Sequence, residues 1–206
     1  MKLIDGSRTK AGDRGVFHRI APVYGLFYHC QEGYYSRVLD RMQDYLDLSR
    51  HKKVIDIGCG TGALCSVLNR KGFTVTGVDS VQRMLDIAAE KLEGKEVQLL
   101  QADILKGLPF EDKCFDAAIA SFVAHGLEPN ERKKMYVEMQ RITKSLVIIH
   151  DFNENRSLLL DIIERLEGGD YFNFIKNARA EMEDVFRSVE IININKRTVW
   201  YVCRLK

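Results

Sequence analysis

The run Val54-Ile55-Asp56-Ile57 passes without a break into Gly58-Cys59-Gly60-Thr61-Gly62, and helical spacing begins directly after it. Four residues this apolar, with a single acid among them, suit a strand covered on both faces, as in a parallel sheet. Glycine is needed where a backbone takes positive φ or where a ligand must approach the main chain closely. Strand, glycine turn and helix in immediate succession therefore commit this stretch to a βα unit. The turn falls at the carboxyl end of its strand, where open α/β sheets bind their ligands.

The rest of the chain extends that unit. Short apolar runs at Lys53–Ile57, Thr74–Val78, Val97–Gln101, Phe115–Ala120 and Ser145–His150 alternate with helical spacing over Gly62–Lys71, Gln82–Leu92 and Asn130–Thr143. Met84, Leu85, Ala88 and Leu92 mark one helical face. Two further runs, Val189–Asn195 and Thr198–Leu205, are rich in β-branched and aromatic residues and joined at Lys196-Arg197, the pattern of an antiparallel hairpin. The expectation is an α/β fold with a seven-stranded Rossmann-like sheet. It is mostly parallel, closed by the hairpin, with helices on both faces.

Helical segments are expected before the first strand, at about Val16–His29 and Tyr34–Leu48, and between the fifth and sixth strands at about Ser157–Arg187, interrupted by Gly168-Gly169. At 206 residues the chain suits one domain. Its expected regions are a helical lid (1–50), a binding core (51–151), a helical insert (152–188) and the terminal hairpin (189–206).

Two acids follow later strands. Asp79, in Val78-Asp79-Ser80, stands where a carboxylate can accept hydrogen bonds from both ribose hydroxyls of an adenosine. Asp103, in Gln101-Ala102-Asp103-Ile104, can take an adenine amine while Ile104 packs on the ring; equally, Asp103 can cap a helix. Asp56 can hold the turn through backbone N–H groups, bind ligand, or do both.

With these residues in order, the chain resembles the class I S-adenosylmethionine (SAM)-dependent methyltransferases. The glycine turn is similar to their first motif, Asp79 to their second-strand acid and Asp103 to their adenine-binding acid. Phe115-Asp116-Ala117-Ala118-Ile119-Ala120-Ser121 is similar to their fourth-strand motif. Upstream, Phe17-His18-Arg19-Ile20-Ala21-Pro22-Val23-Tyr24 is similar to the first helix of the ubiquinone/menaquinone-biosynthesis type, with Tyr24-Gly25 where those proteins carry Tyr-Asp.

The resemblance implies SAM as cofactor, no metal, and cofactor contacts at Tyr24, Asp56, Gly58, Cys59, Gly60, Gly62, Asp79, Ser80, Met84, Asp103, Ile104 and Ser121. His125, soon after the fourth strand, is the candidate general base; it can also line the pocket or bond the cofactor's amino acid end. His150-Asp151 ends the fifth strand and is expected to be structural.

Competing readings remain. Gly58, Gly60 and Ala63, with Asp79 beyond, satisfy a relaxed dinucleotide fingerprint, so an NAD(P)-binding oxidoreductase is one alternative. A SAM-binding protein without catalysis is another. The net charge of +2, and short basic clusters at His51-Lys52-Lys53 and Arg132-Lys133-Lys134 read as solvated faces, argue against nucleic acid. So does Ala120-Ser121-Phe122-Val123 in place of the Asn/Asp-Pro-Pro-Tyr run of base-modifying enzymes, which favours a small-molecule acceptor. Five cysteines without a C-x-x-C pair suggest reduced thiols and no zinc site. No apolar run approaches the roughly 20 residues that span a bilayer. The polar, basic start lacks a signal-peptide core, so a cytoplasmic protein is expected.

Overall fold

A computed structural model describes residues 25–43, 50–153 and 171–206. Tyr24, most of the expected first helix and Gly168-Gly169 lie outside these residues. The strands are β1 (Lys53–Ile57), β2 (Thr74–Asp79), β3 (Val97–Gln101), β4 (Phe115–Ser121), β5 (Thr143–Phe152), β6 (Ser188–Asn193) and β7 (Thr198–Arg204). They form one seven-stranded sheet of order β3-β2-β1-β4-β5-β7-β6. Pairing is parallel from β3 through β5 and antiparallel on both sides of β7, as the terminal hairpin requires. The strand order reverses between β1 and β4, so the crevice beyond the ends of those strands is the topological switch point.

Helices cover both faces. On one lie α1 (Tyr28–Met42), α2 (Ala63–Arg70) and α3 (Gln82–Lys91), burying Val38, Leu68 and Leu85 with Val54, Ile148 and Trp200. On the other lie α4 (Pro129–Ile142) and α5 (Tyr171–Val185), burying Met135, Met139 and Phe174 with Ile55, Ala118 and Ile149. Strand residues alternate between the two cores, as the period of two demands.

Several boundaries differ from the sequence reading. Helix α1 runs unbroken through Gly33, where two segments were expected, because Tyr28, Val38, Leu39 and Met42 all reach the core from one face. Helix α4 starts one residue early, at Pro129, behind a capping box in which Glu128 and Glu131 satisfy each other's backbone N–H groups. Strand β5 extends to Phe152 because Asp151 and Phe152 pair with Val199 and Thr198. Strand β6 stops at Asn193, since the Asn195 side chain accepts from the N–H groups of Arg197 and Thr198 and closes the turn. Among the described residues, no helix is long and apolar enough to cross a membrane.

One basic cluster needs correcting. Arg132, read as part of a solvated face, is fully buried. Its guanidinium forms a two-pronged pair with Glu181 of α5 at 2.6 and 2.7 Å, donates to the Leu127 carbonyl, and lies over the Phe174 ring. The helical period of α4 turns this position inward while Lys133 and Lys134 face out. Removing one partner of such a pair strands a desolvated charge. Glu181→Ala is expected to cost roughly 3–5 kcal/mol in urea unfolding, most of it recovered by Arg132→Leu in the same chain. A cost below about 1 kcal/mol for the single variant would show that the pair does not hold α4 to α5.

Candidate functional site

The glycine turn is tied to β2 rather than hanging free. Gly58 and Cys59 both donate their N–H to the Val78 carbonyl, at 2.8 and 3.0 Å. Gly60 donates to Asp79 Oδ2 at 2.9 Å, and Val81 donates to Asp79 Oδ1 at 2.8 Å. The acid expected to meet a ribose thus also locks the turn, and burial holds its pKa above the usual carboxylate range.

Gly60 has φ +53°, and a Cβ built there would meet nothing within 4 Å, so the main chain stands open on that side. Gly58 faces the other way: a Cβ would fall 2.5 Å from Val123, which holds the segment after β4 against the turn. Gly62 and Cys59 are buried.

Asp56 is buried on the α1 face and accepts a bond from the Cys65 thiol at 3.2 Å. Burial first, then the charge of Asp79, push its pKa up to about 7. Asp103 accepts from the Leu105 N–H at 3.1 Å and so caps the short 3₁₀ turn Ile104–Lys106, the cap reading of the sequence; Lys106 stands 4.0 Å away. Ile104 is half-buried, Ser80 exposed and Met84 buried in α3. The sheet therefore gathers Asp56, Gly58, Cys59, Gly60, Gly62, Asp79 and Ser121 at the carboxyl ends of β1, β2 and β4, with Asp103 and Ile104 after β3.

A buried polar network covers the β4 and β5 ends on the α1 face. His150 contacts the Tyr34 hydroxyl through Nε2 at 3.0 Å and Ser121 Oγ through Nδ1 at 3.0 Å. Ser121 donates to the Tyr35 hydroxyl at 3.1 Å, and Tyr34 also meets Thr198 Oγ1 at 3.1 Å. These bonds bind α1 to β4, β5 and β7. The sequence reading did not find Thr198, whose partner Tyr34 lies 164 positions away. Burial pushes the pKa of His150 down to about 4, so its imidazole is neutral at physiological pH.

On the opposite face, His125 sits in the 3₁₀ turn Ala124–Gly126 after β4, with Nδ1 2.8 Å from Asp151 Oδ1. Asp151 is fully buried. Within the expected lid region, Phe27 is exposed and Tyr28 is buried in the core.

A parallel sheet with a reversed β7, a glycine turn at the switch point, and acids after β2 and β3 together define the class I methyltransferase fold. Residues 54–145 match the family described as a methyltransferase domain, and the fold is that of class I SAM-dependent methyltransferases. A demethylmenaquinone methyltransferase from Tropheryma whipplei is 34% identical over 125 residues, which cover 58% of this chain and 50% of that protein. The chain thus spans about half the length of that relative. An uncharacterized methyltransferase from Alkaliphilus oremlandii is 23% identical over 93% of this chain and 96% of its own. Among solved structures, the magnesium protoporphyrin IX methyltransferase from Synechocystis with bound SAM superposes with a TM-score of 0.63 at 15% identity, covering 97% of this chain and all of that one, a likeness of fold.

Two buried groups of this site give opposite pH slopes. The folded pKa of His150 lies below its ordinary value, so between about 6.5 and 4 the unfolded chain binds the extra proton and stability falls as pH falls. The folded pKa of Asp56 lies above its ordinary value, so between about 7 and 4 the folded protein binds the extra proton and stability rises as pH falls. Each amounts to roughly 3–4 kcal/mol across its window, and the two nearly cancel. His150→Phe is expected to make the protein gain stability from pH 7 to pH 5, and Asp56→Asn to make it lose stability over the same interval. Thermal unfolding curves that keep the parent's pH dependence in both variants would contradict these environments.

Proposed function

We propose that the protein transfers a methyl group from SAM to a small-molecule acceptor in the cytoplasm, without nucleic acid as substrate. The observation that carries this reading is the open side of Gly60 at the sheet's switch point, with its own N–H fixed by Asp79. A ligand can lie against bare main chain there, and nothing of the protein has to move aside. The carboxylates of Asp79 and Asp103 have lone pairs beyond the backbone bonds they accept, enough for ribose hydroxyls and an adenine amine.

In this reading Gly58, Cys59, Gly60 and Gly62 form the floor beneath the cofactor's amino acid end. Asp79 and Ser80 meet the ribose, and Asp103, Ile104 and Met84 flank the adenine. Asp56 and Ser121 stand behind the turn, and Tyr24 belongs to the covering segment. SAM brings an activated methyl on a sulfonium, so the protein's contribution is to align the acceptor behind that carbon and keep water out. The small-molecule assignment draws on a relative named for demethylmenaquinone. The sheet argues against the dinucleotide alternative, because β7 enters antiparallel between β5 and β6 where a doubly wound dinucleotide fold continues parallel.

Calorimetry with SAM and its demethylated product tests the assignment. Gly60→Val is expected to abolish binding, whereas Gly72→Ala, also at positive φ with open space around it but at the far end of the sheet, is expected to bind normally. Asp79→Ala should weaken binding by roughly 1.5–3 kcal/mol and Asp79→Asn by less. Asp103→Ala should weaken SAM more than an analogue lacking the adenine amine. Unchanged affinity in the Gly60 and Asp79 variants, or retention of NAD in place of SAM, would overturn the reading.

A further inference from the structure

Two carboxylates share the buried side of the glycine turn. In the β1–β2 register Asp56 lies opposite Gly77, and the period of two puts Asp79 on the same face of the sheet. Asp79 accepts the N–H groups of Gly60 and Val81, which favours its ionised form. Asp56 is 1% exposed and has a thiol for a donor, Cys65 Sγ at 3.2 Å. Gly77 makes room for this packing: a Cβ there would fall 2.9 Å from Cys65 Sγ and 3.0 Å from Cys59 Sγ, so both sulfurs close over β2. The groups that face Asp56 are Tyr35 from α1, Cys65 from α2, Cys59 from the turn and Asp79 from β2, while its neighbour in β4 is Ile119. Among the described residues no cation acts on it. Burial holds the Tyr35 phenol neutral, and the bond to Cys59 together with burial holds the Cys65 thiol protonated. The same bond draws the Cys59 pKa down, but burial and the charges of Asp56 and Asp79 outweigh it and leave that thiol protonated too. Two negative charges this deep without a cation do not both persist, and the proton settles on Asp56, the acid with the weaker donor.

We propose that Asp56 is the residue by which the site tells the cationic cofactor from its demethylated product: it holds a proton in the ligand-free protein, releases it when SAM binds and takes it back once the methyl has gone. This rests on the methyl-transfer reading above and deepens it. SAM carries a sulfonium and an ammonium against one carboxylate, a net positive charge, whereas the product is a thioether with no net charge. Asp56 stands two residues before Gly58, in the strand that carries the turn. A positive charge laid on that turn favours both acids as anions, and its loss restores the repulsion between Asp56 and Asp79. On binding, the O–H bond of the Asp56 carboxyl breaks, its electron pair stays on the carboxylate oxygen and the proton passes to solvent. After methyl transfer a solvent proton bonds that oxygen again. The site therefore prefers SAM where Asp56 can ionise, and the preference shrinks as pH falls, because the proton then costs more to release.

Titration calorimetry of the full chain, in two buffers of different ionisation enthalpy, counts the protons released on binding. At about pH 6.5 the amino groups of both ligands keep their proton, since α-amino groups titrate near 8. Asp56 titrates at about 7 in the ligand-free protein. SAM should therefore release roughly 0.5 proton or more at that pH, and its demethylated product less than about half as much. The ratio of the two dissociation constants should favour SAM about fivefold more at pH 6.5 than at pH 5.5. In Asp56→Asn the release specific to SAM should vanish and the ratio should stay level over that interval. Infrared difference spectra of the parent give a second measurement: a protonated-carboxyl C=O band should be lost on adding SAM and persist with the product. Cys65→Ala, which removes the thiol bonded to that carboxyl, should shift the band. A parent that binds SAM with no more proton release than the product overturns this inference and leaves the methyl-transfer reading standing, whereas a parent that binds no SAM overturns both. SAM-specific release retained in Asp56→Asn, or a band that Cys65→Ala leaves unmoved, puts the proton elsewhere and overturns the role of Asp56.

Discussion

The bond from the Gly60 N–H to Asp79 is the contact on which the rest of the site depends. It joins the turn after β1 to the end of β2, two elements that the parallel sheet already aligns but whose loops would otherwise be independent. With Gly58 and Cys59 also anchored on Val78, the turn becomes an extension of the sheet. The anchoring uses only part of the acceptor capacity of the Asp79 carboxylate. Rigid sheet ends thereby present a loop backbone at fixed height, with the open side of Gly60 uppermost.

The alternation of side chains along β5 then separates two tasks. His150 and Asp151 are neighbours in sequence and face opposite sides of the sheet. His150, on the α1 face, is neutral and meets hydroxyls through both ring nitrogens, which docks α1 onto β4, β5 and β7. Asp151, on the α4 and α5 face, gathers the turn that carries His125. One strand end thus serves as scaffold on one side and as anchor for the turn after β4 on the other, and a register slip of one residue would exchange the two.

The fold was legible because its signals are local. Strand runs such as Val54–Ile57, the glycine turn and the hairpin at Lys196-Arg197 each declare their conformation within a few residues. The acids Asp79 and Asp103 were legible by position, at the ends of recognisable strands, though the cap that Asp103 forms shows how one carboxylate can satisfy two descriptions. What the chain hid is long-range pairing. Arg132 reads as surface until Glu181 arrives 49 positions later, and only its helical spacing to Met135, Tyr136 and Met139 sets it apart from Lys133. His150-Asp151 reads as one structural pair because a dipeptide does not reveal that its side chains serve different cores. The break assigned near Gly33 failed for a related reason: the burial of Val38, Leu39 and Met42 outweighs the preference of a single glycine, worth about 1 kcal/mol.

That last difference bears on how the covering segment can move. A lid reaching to Tyr35 would have to break the Tyr34 contacts to His150 and Thr198 and the Ser121 bond to Tyr35, leaving buried polar groups unpaired in the process. It would also have to withdraw Tyr28 from the core. Such costs oppose motion of α1 as a whole, and they confine any hinge among the described residues to the stretch before Tyr28, where Leu26 and Phe27 are exposed and Gly25 rests on Ile87 of α3.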